Sequence, residues 1–354
     1  MVQPLYDVVG LGSAIVDIIA RCDDAFIAAQ GLEKGMMRLI DADEASRLYG
    51  EMDAAVEVSG GTVPNSCVGV TSFGGRAAFM GKIANDQFGE IFTHDLRTAG
   101  VSFQGKPVEG SAPTARCLIL VTPDGERTMN THLGAAAELS TREVDADLIA
   151  ASKTLYLEGY SFDGAPAKAA FHEAARIARG SGTTVSLTLS DPFCVERHRQ
   201  SFHDFIKSGV DLLFANEREL LTLYETGDLA EACARLQADC ALAAVTRGEK
   251  GSLVLTPERV IEIEAEPVTR VVDTTGAGDL YAAGFLFGHA RALDLHTCGR
   301  LASIAAAEII SHIGPRPETP LAGLAQARNL IGVAGGYTGE DQMRRHQEHA
   351  ASEK

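Results

Sequence analysis

Val271-Val272-Asp273-Thr274-Thr275-Gly276-Ala277-Gly278-Asp279 is the stretch on which the reading of this chain turns. It reads as a strand end, then a Gly-rich turn, then the first turn of a helix that continues through Leu280-Tyr281-Ala282-Ala283-Gly284-Phe285-Leu286. Gly276 and Gly278, flanking Ala277, let the backbone turn tightly and approach a ligand closely. The amides of Gly276, Ala277, Gly278 and Asp279 then point the same way as the helix N-terminus, a positive cradle suited to phosphate. Asp279 inside that cradle has two readings. It complements the helix dipole, as acids in a first turn routinely do, or it takes a proton from a hydroxyl that attacks the phosphate. Spacing alone leaves both open, because an isolated Gly-rich turn is a weak signal.

Upstream of the stretch, strands and helices alternate. Strands are expected at Thr154–Leu157, Thr184–Leu189, Val210–Phe214, Leu242–Thr246 and Gly251–Leu255. Between them lie helical patterns at Ala167–Ala178, ended by Gly180, and at Leu229–Gln237. Such alternation implies a parallel sheet with helices on both faces. Ligands bind beyond the carboxyl ends of strands in such sheets, where Asp191, Asn216, Thr246 and Asp273 all fall.

The early part of the chain differs. Tyr6 to Gly12 looks like a buried first strand, and Gly10-x-Gly12 invites a dinucleotide reading. Ile15 at the third glycine position and the β-branched run Ile15-Val16-Asp17-Ile18-Ile19 argue against it. Asp17 within that apolar run is costly to bury unless paired or facing a site; the alternative is an edge-strand acid in water. Val58 to Asn65, with Gly60-Gly61, precedes a helix expected over Ser66–Phe73, and Arg76–Ile83 reads as a strand. Backbone freedom at the glycine pair plus the Asn65 amide suits a polyhydroxyl ligand, and equally a tight turn before a capped helix. Arg116–Val121 and Glu126–His132 form an expected hairpin around Pro123-Asp124-Gly125. Gly100-x-x-x-x-Gly105-Lys106 mimics a P-loop, but Pro107 removes both the hydroxyl and an amide donor.

A net charge of -17 argues against nucleic acid or an anionic membrane as partner. The seven cysteines are scattered and odd in number, which fits reduced thiols. With no signal-peptide pattern and no membrane-length apolar run, the expected location is cytoplasmic. The stretch 335–354 is polar and expected to be a flexible tail.

Asp17, the Gly60-Gly61…Asn65 segment and the Gly-Ala-Gly-Asp turn together resemble the ribokinase-like (PfkB) family of sugar and nucleoside kinases. Asp273 to Leu286 is similar to that family's C-terminal signature throughout, and Gly81 to Gly89 to a further segment, with Ala84 and Asn85 as departures. Val63 and Cys67 depart from the N-terminal signature. Asn216-x-x-Glu219 resembles the Asn-x-x-Glu element near magnesium and phosphate, and Thr246-Arg247-Gly248 the nucleotide-side Thr-x-Gly turn. Leu187–Phe193, Val210–Phe214 and Leu133–Ala137 resemble the adenosine kinase branch in particular. Arg127 falls where that branch carries a lid arginine; a solvated hairpin arginine is the alternative.

The resemblance implies an α/β fold: a three-layer, doubly wound, mostly parallel sheet over residues 1–334, with a small β-sheet lid drawn mainly from residues 13–60 and 101–132. It implies ATP-dependent phosphorylation of a nucleoside 5′-hydroxyl, adenosine first, with Asp279 as general base and Gly276, Ala277 and Gly278 as anion hole. Ser13, Asp17, Gly60, Gly61, Thr62 and Asn65 would hold the acceptor, and Phe162 would stack on its base. Arg127, Asn216, Glu219, Thr246 and Gly248 would bind ATP, with Mg2+ held through water by Asn216 and Glu219. A monovalent cation, K+, would sit at Asp273 and Thr275. The alternatives are another nucleoside or a free sugar as acceptor, or a non-catalytic nucleotide-binding protein on the same fold. A monomer and a homodimer are both compatible with the sequence.

Overall fold

Strands whose side chains are apolar on both faces belong between two layers of helix, and the largest sheet of the computed structural model is built that way. Residues 4–105, 110 and 112–332 are described. The sheet has nine strands. From one edge they run β14 (Arg259–Ile263), β13 (Ser252–Thr256), β12 (Leu242–Thr246), β11 (Leu212–Asn216), β10 (Thr184–Thr188), β9 (Ser152–Glu158), β1 (Tyr6–Leu11), β5 (Ala77–Met80) and β6 (Ser102–Phe103). All neighbours are parallel except the β12–β13 and β13–β14 pairs. Successive residues feed opposite cores. Val8, Tyr156, Phe214 and Ala244 pack with the helices Thr62–Ser72, Ala277–Ala290 and Leu295–Ile309. Val9, Leu155, Leu213 and Ala243 pack with Ala165–Ser181, Pro192–Gly209 and Leu229–Asp239. The result is three layers.

From β1 the chain winds one way to β5 and β6, and from β9 the other way through β12. The topological switch point therefore lies between β1 and β9, where a ligand crevice is expected.

A second sheet of five strands lies over this crevice, in the order β3 (Met37–Leu39), β8 (Arg127–His132), β7 (Ala115–Val121), β2 (Ile15–Arg21), β4 (Ala55–Gly60). The β7–β8 pair is the hairpin turning at Asp124-Gly125, with Val121 opposite Arg127. No helix among the described residues is long and apolar enough to cross a membrane.

Several local expectations need correction. Val271–Asp273 is not a strand end: the sheet already stops at β14, and Val272 donates only a loop hydrogen bond to the Ile310 carbonyl (2.8 Å). The helix expected over Ser66–Phe73 starts at Thr62 instead, because Pro64 sits in its first turn, where a missing N–H is harmless. The helix Ala165–Ser181 runs through Gly180 and stops at Gly182, whose φ of 75° caps it. β5 is shorter than Arg76–Ile83. The tail 335–354 and Lys106-Pro107 lie outside the described residues.

Candidate active site

Gly276 (φ 76°) is the N-cap of the helix Ala277–Ala290 and makes no side-chain cap. A left-handed N-cap without a capping side chain leaves the first amides open. Ala277 N–H turns back to the Thr274 carbonyl (3.2 Å), so it is not part of the expected cradle. The amides of Gly276, Gly278 and Asp279 have no acceptor among the described residues. They face a cavity of about 460 Å³ bounded by Thr62, Tyr160, Ser190, Asn216, Glu219, Thr246 and Asp279, within the range of small-ligand sites.

Asp279 is fixed from the neighbouring helix. Asn65 Nδ2 donates to Asp279 Oδ2 (2.9 Å), and Ser66 Oγ to the Asp279 carbonyl (2.8 Å). Burial pushes the Asp279 carboxyl up to about 7; the Asn65 hydrogen bond opposes the rise, nearby Glu158 and Asp17 add to it, and Arg316 opposes it. A carboxylate poised near neutrality suits a general base. Asn65 Oδ1 is buried without a partner among the described residues.

The residues expected to hold the acceptor gather at the switch point. Ser13 N, just past β1, donates to Glu158 Oε1 (2.8 Å), the last residue of β9. Glu158 was not singled out by the sequence, where it looked like one more strand residue; the signal available was an acid directly after the buried run Leu155-Tyr156-Leu157. Its other oxygen, Oε2, is buried and has no partner among the described residues, and burial raises its proton affinity. Asp17, on β2, is 7% exposed and accepts no hydrogen bond among the described residues. Burial holds its carboxyl at about 6, with Arg316 and Arg127 pulling downward. Gly60 lies against it: a Cβ there would fall 2.2 Å from Asp17 Oδ2. Gly61 (φ 95°) turns the chain into the helix, and Thr62 reaches the cavity. Buried carboxylates and an amide oxygen with free lone pairs form a site for a ligand rich in O–H donors.

Phe162 does not belong to this site. It is 1% exposed and stacks on Phe202 (4.3 Å between centroids) within the core beneath the helix Ala165–Ser181. The short turn Gly159–Asp163 points it inward, and Tyr160 outward instead. Tyr160, 41% exposed, lines the cavity.

On the other side of the cavity, Asn216 ends β11 and caps the helix Glu217–Tyr224. Its Oδ1 accepts from Glu219 N (2.8 Å), while Glu219 Oε2 accepts from Asn216 N (2.9 Å) and Oε1 from Asn216 Nδ2 (2.6 Å). Locally the Asn-x-x-Glu element is a capping box. The same bonds aim a carboxylate at the cavity, and burial raises it to about 7, with nearby Asp191 adding to the rise. This hard oxygen donor fits a hydrated divalent cation, although among the described residues no group of three or more His, Cys, Asp or Glu could hold a metal alone. Thr246 ends β12 at the cavity, and Gly248 (φ 60°) follows in the next turn.

Arg127, at the start of β8, reaches across from the small sheet. Its Nη1 donates to Thr275 Oγ1 (2.7 Å) and its Nη2 pairs with Asp273 Oδ2. Gly314 N also donates to Oδ2, and Thr275 N to Oδ1, both at 3.0 Å. Every side-chain oxygen expected to ligate a monovalent cation is thus engaged by a donor. In this arrangement the residues do not fit that cation; the guanidinium supplies the positive charge.

These acidities have a consequence for stability. A carboxyl raised in the fold binds its proton more tightly than in the unfolded chain. It therefore stabilises the fold below its unfolded value, 3.8 for Asp279, and the contribution is lost as pH rises through about 7. An Asn at this position carries no such term. The melting temperature of Asp279→Asn, relative to wild type and without ligand, is expected to climb from pH 5 to pH 8. A difference that stays flat or falls would contradict the burial argument.

The sequence profile described as pfkB family carbohydrate kinase matches residues 34–321. Among solved structures, a probable sugar kinase from Rhizobium etli CFN 42 superposes with TM-score 0.87 at 48% identity, covering 93% of this chain and all of that one. The adenosine kinase from Sinorhizobium meliloti superposes with TM-score 0.85 at 53% identity, covering 91% and 99%. Probable fructokinase-3 of Arabidopsis thaliana is 30% identical over 67% of this chain and 70% of its own length.

Proposed function

The chain belongs to the pfkB family of carbohydrate kinases, phosphotransferases that act on hydroxyl groups, and from that premise we propose that its acceptor is a nucleoside, adenosine first, phosphorylated by ATP on the 5′-hydroxyl. The observation that carries this reading is Asp279: a carboxyl raised towards neutrality, held by Asn65, beside free helix amides. ATP lies in the cavity with its terminal phosphate against the amides of Gly276, Gly278 and Asp279, which stabilise charge on the transferring group. Glu219 and Asn216 would hold a hydrated magnesium ion, which would supply neutralisation of the phosphate charge. Asp17, Asn65 and the Gly60-Gly61 turn hold the ribose hydroxyls and bring the 5′-hydroxyl to Asp279, which takes its proton. Arg127 keeps the small sheet over the crevice and excludes water that would hydrolyse ATP. Tyr160, rather than Phe162, offers an aromatic face to the base, and the 53% identity to a named adenosine kinase supports the same acceptor class.

A free sugar is the second acceptor class, and Glu158 favours it. Its Oε2, unpartnered among the described residues, suits the additional O–H donors of a compact polyol. A panel of adenosine, guanosine, inosine, ribose and fructose with ADP detection separates the two. Adenosine is expected to give the highest kcat/KM, and a hexose preferred over every nucleoside would reverse the acceptor assignment. Asp17→Ala is expected to raise KM for the preferred acceptor at least tenfold with KM for ATP nearly unchanged; an unaltered acceptor KM would place the hydroxyls elsewhere.

A further inference from the structure

Arg316 appears in none of the motifs above, yet it sits where the two sheets meet. Its Nη2 donates to the Ser59 carbonyl and to Ser59 Oγ, and its Nη1 to the Pro64 carbonyl (3.4 Å). Ser59 is the penultimate residue of β4, and Pro64 lies in the first turn of the acceptor helix. One guanidinium therefore grips both ends of the Gly60-Gly61 turn. Ser59 is held from a third side by Asp95, which accepts from its N (2.8 Å) and its Oγ.

The loop that presents Arg316 is itself tied down. Gly314 N donates to Asp273 Oδ2 (3.0 Å), and Glu318 N and Thr319 N both donate to Glu308 Oε1 (2.9 and 2.7 Å). Pro315 packs beside the anion turn, its Cα 3.4 Å from where a Cβ on Gly276 would stand. The residue thus connects the phosphate end of the site, through Gly314 and Pro315, with the acceptor end, through Ser59 and Pro64. Arg316 Nε is buried with no partner among the described residues; burial disfavours its charge, and Asp95, Asp17 and Asp279 favour it.

We propose that Arg316 is a positioning residue that clamps the Gly60-Gly61 turn, so that Asp17 on one side of it and Asn65 on the other face the acceptor together. The inference rests on the kinase reading given above. Two glycines in succession leave the turn many backbone states, and an Asp17–Asn65 pair that has to wait for the right one binds its acceptor more weakly. Two hydrogen bonds from one planar, always-charged group select a single state. Lysine keeps the charge but cannot span both carbonyls.

Arg316→Gln and Arg316→Lys test this, with acceptor KM, ATP KM and kcat measured on the acceptor wild type uses best in the panel above, and melting temperature as control. Both variants are expected to raise the acceptor KM at least tenfold and leave the ATP KM within twofold. If Arg316→Gln does not fold, Arg316→Lys is read by the same criteria. An unchanged acceptor KM, or acceptor and ATP KM rising in parallel as general loosening would produce, overturns the clamp. A wild type that transfers phosphate to no acceptor in the panel refutes the kinase assignment instead, whereas an active wild type with normal KM in both variants refutes Arg316 alone.

Discussion

Asp279→Asn is expected to lower kcat for phosphoryl transfer about 10²–10⁴-fold, the usual worth of a positioned general base, while the protein stays folded. The substitution is close to isosteric, and the partners of Asp279 are on hand to keep its geometry: Asn65 Nδ2 bonds one side-chain oxygen, and Ser66 Oγ bonds the backbone carbonyl, which the variant retains. What disappears is the capacity to accept a proton. The anion turn survives, so residual transfer supported by the free amides should remain above background. The pH dependence gives the sign independently. The base must be ionised, so wild-type kcat/KM should fall about tenfold per unit as pH drops below the Asp279 value near 7. That acidic limb should vanish in the variant. Near wild-type turnover in a folded Asp279→Asn protein would reduce Asp279 to an acid that complements its helix.

Gly60→Ala should be nearly as damaging, with about a 10²-fold loss in kcat/KM for the acceptor, the scale expected when reacting groups are misplaced by about 1 Å. The added Cβ would lie 2.2 Å from Asp17 Oδ2 and 2.4 Å from its Cγ, distances at which the carboxylate has to move. Gly60 is the cleaner probe of its glycine pair. Gly61 has φ 95° and a Ser13 carbonyl 2.6 Å from its missing Cβ, so any substitution there also strains the backbone. At Gly60 the damage is confined to Asp17. A cycle with Asp17→Ala sharpens the reading, because residues acting as one unit are not additive. The double variant should be no worse than Asp17→Ala alone. Gly60→Ala within about twofold of wild type would mean that Asp17 does not hold the acceptor.

Much of the molecule was legible in the chain. Runs such as Leu155–Leu157 and Leu242–Val245 have no charged residue on either face, as a strand buried on both faces requires, and alternation with amphipathic helices then implies a parallel sheet. The hairpin at Asp124-Gly125 announced itself by its turn residues. Errors fell where local pattern and tertiary packing diverge. Phe162 and Tyr160 are two residues apart in one short turn, and nothing in their spacing says which ring enters the core. Val271-Val272 has strand-like side chains but pairs with no strand among the described residues.

The sequence by itself determined the elements and the chemistry they carry, because periodicity, turn residues and glycines act over a few positions of chain: the parallel sheet, the glycine-lined helix start and the acid inside it. Only the tertiary structure decided which distant groups share a site. Glu158 meets Ser13 across the switch point, Arg127 crosses from the small sheet to Asp273 and Thr275, and Arg316 closes on Ser59 and Pro64 from more than two hundred residues away. Each of these is a charge or polar group that acquires its role from what burial brings beside it, and burial is a property of the packed whole, which no local window of sequence contains.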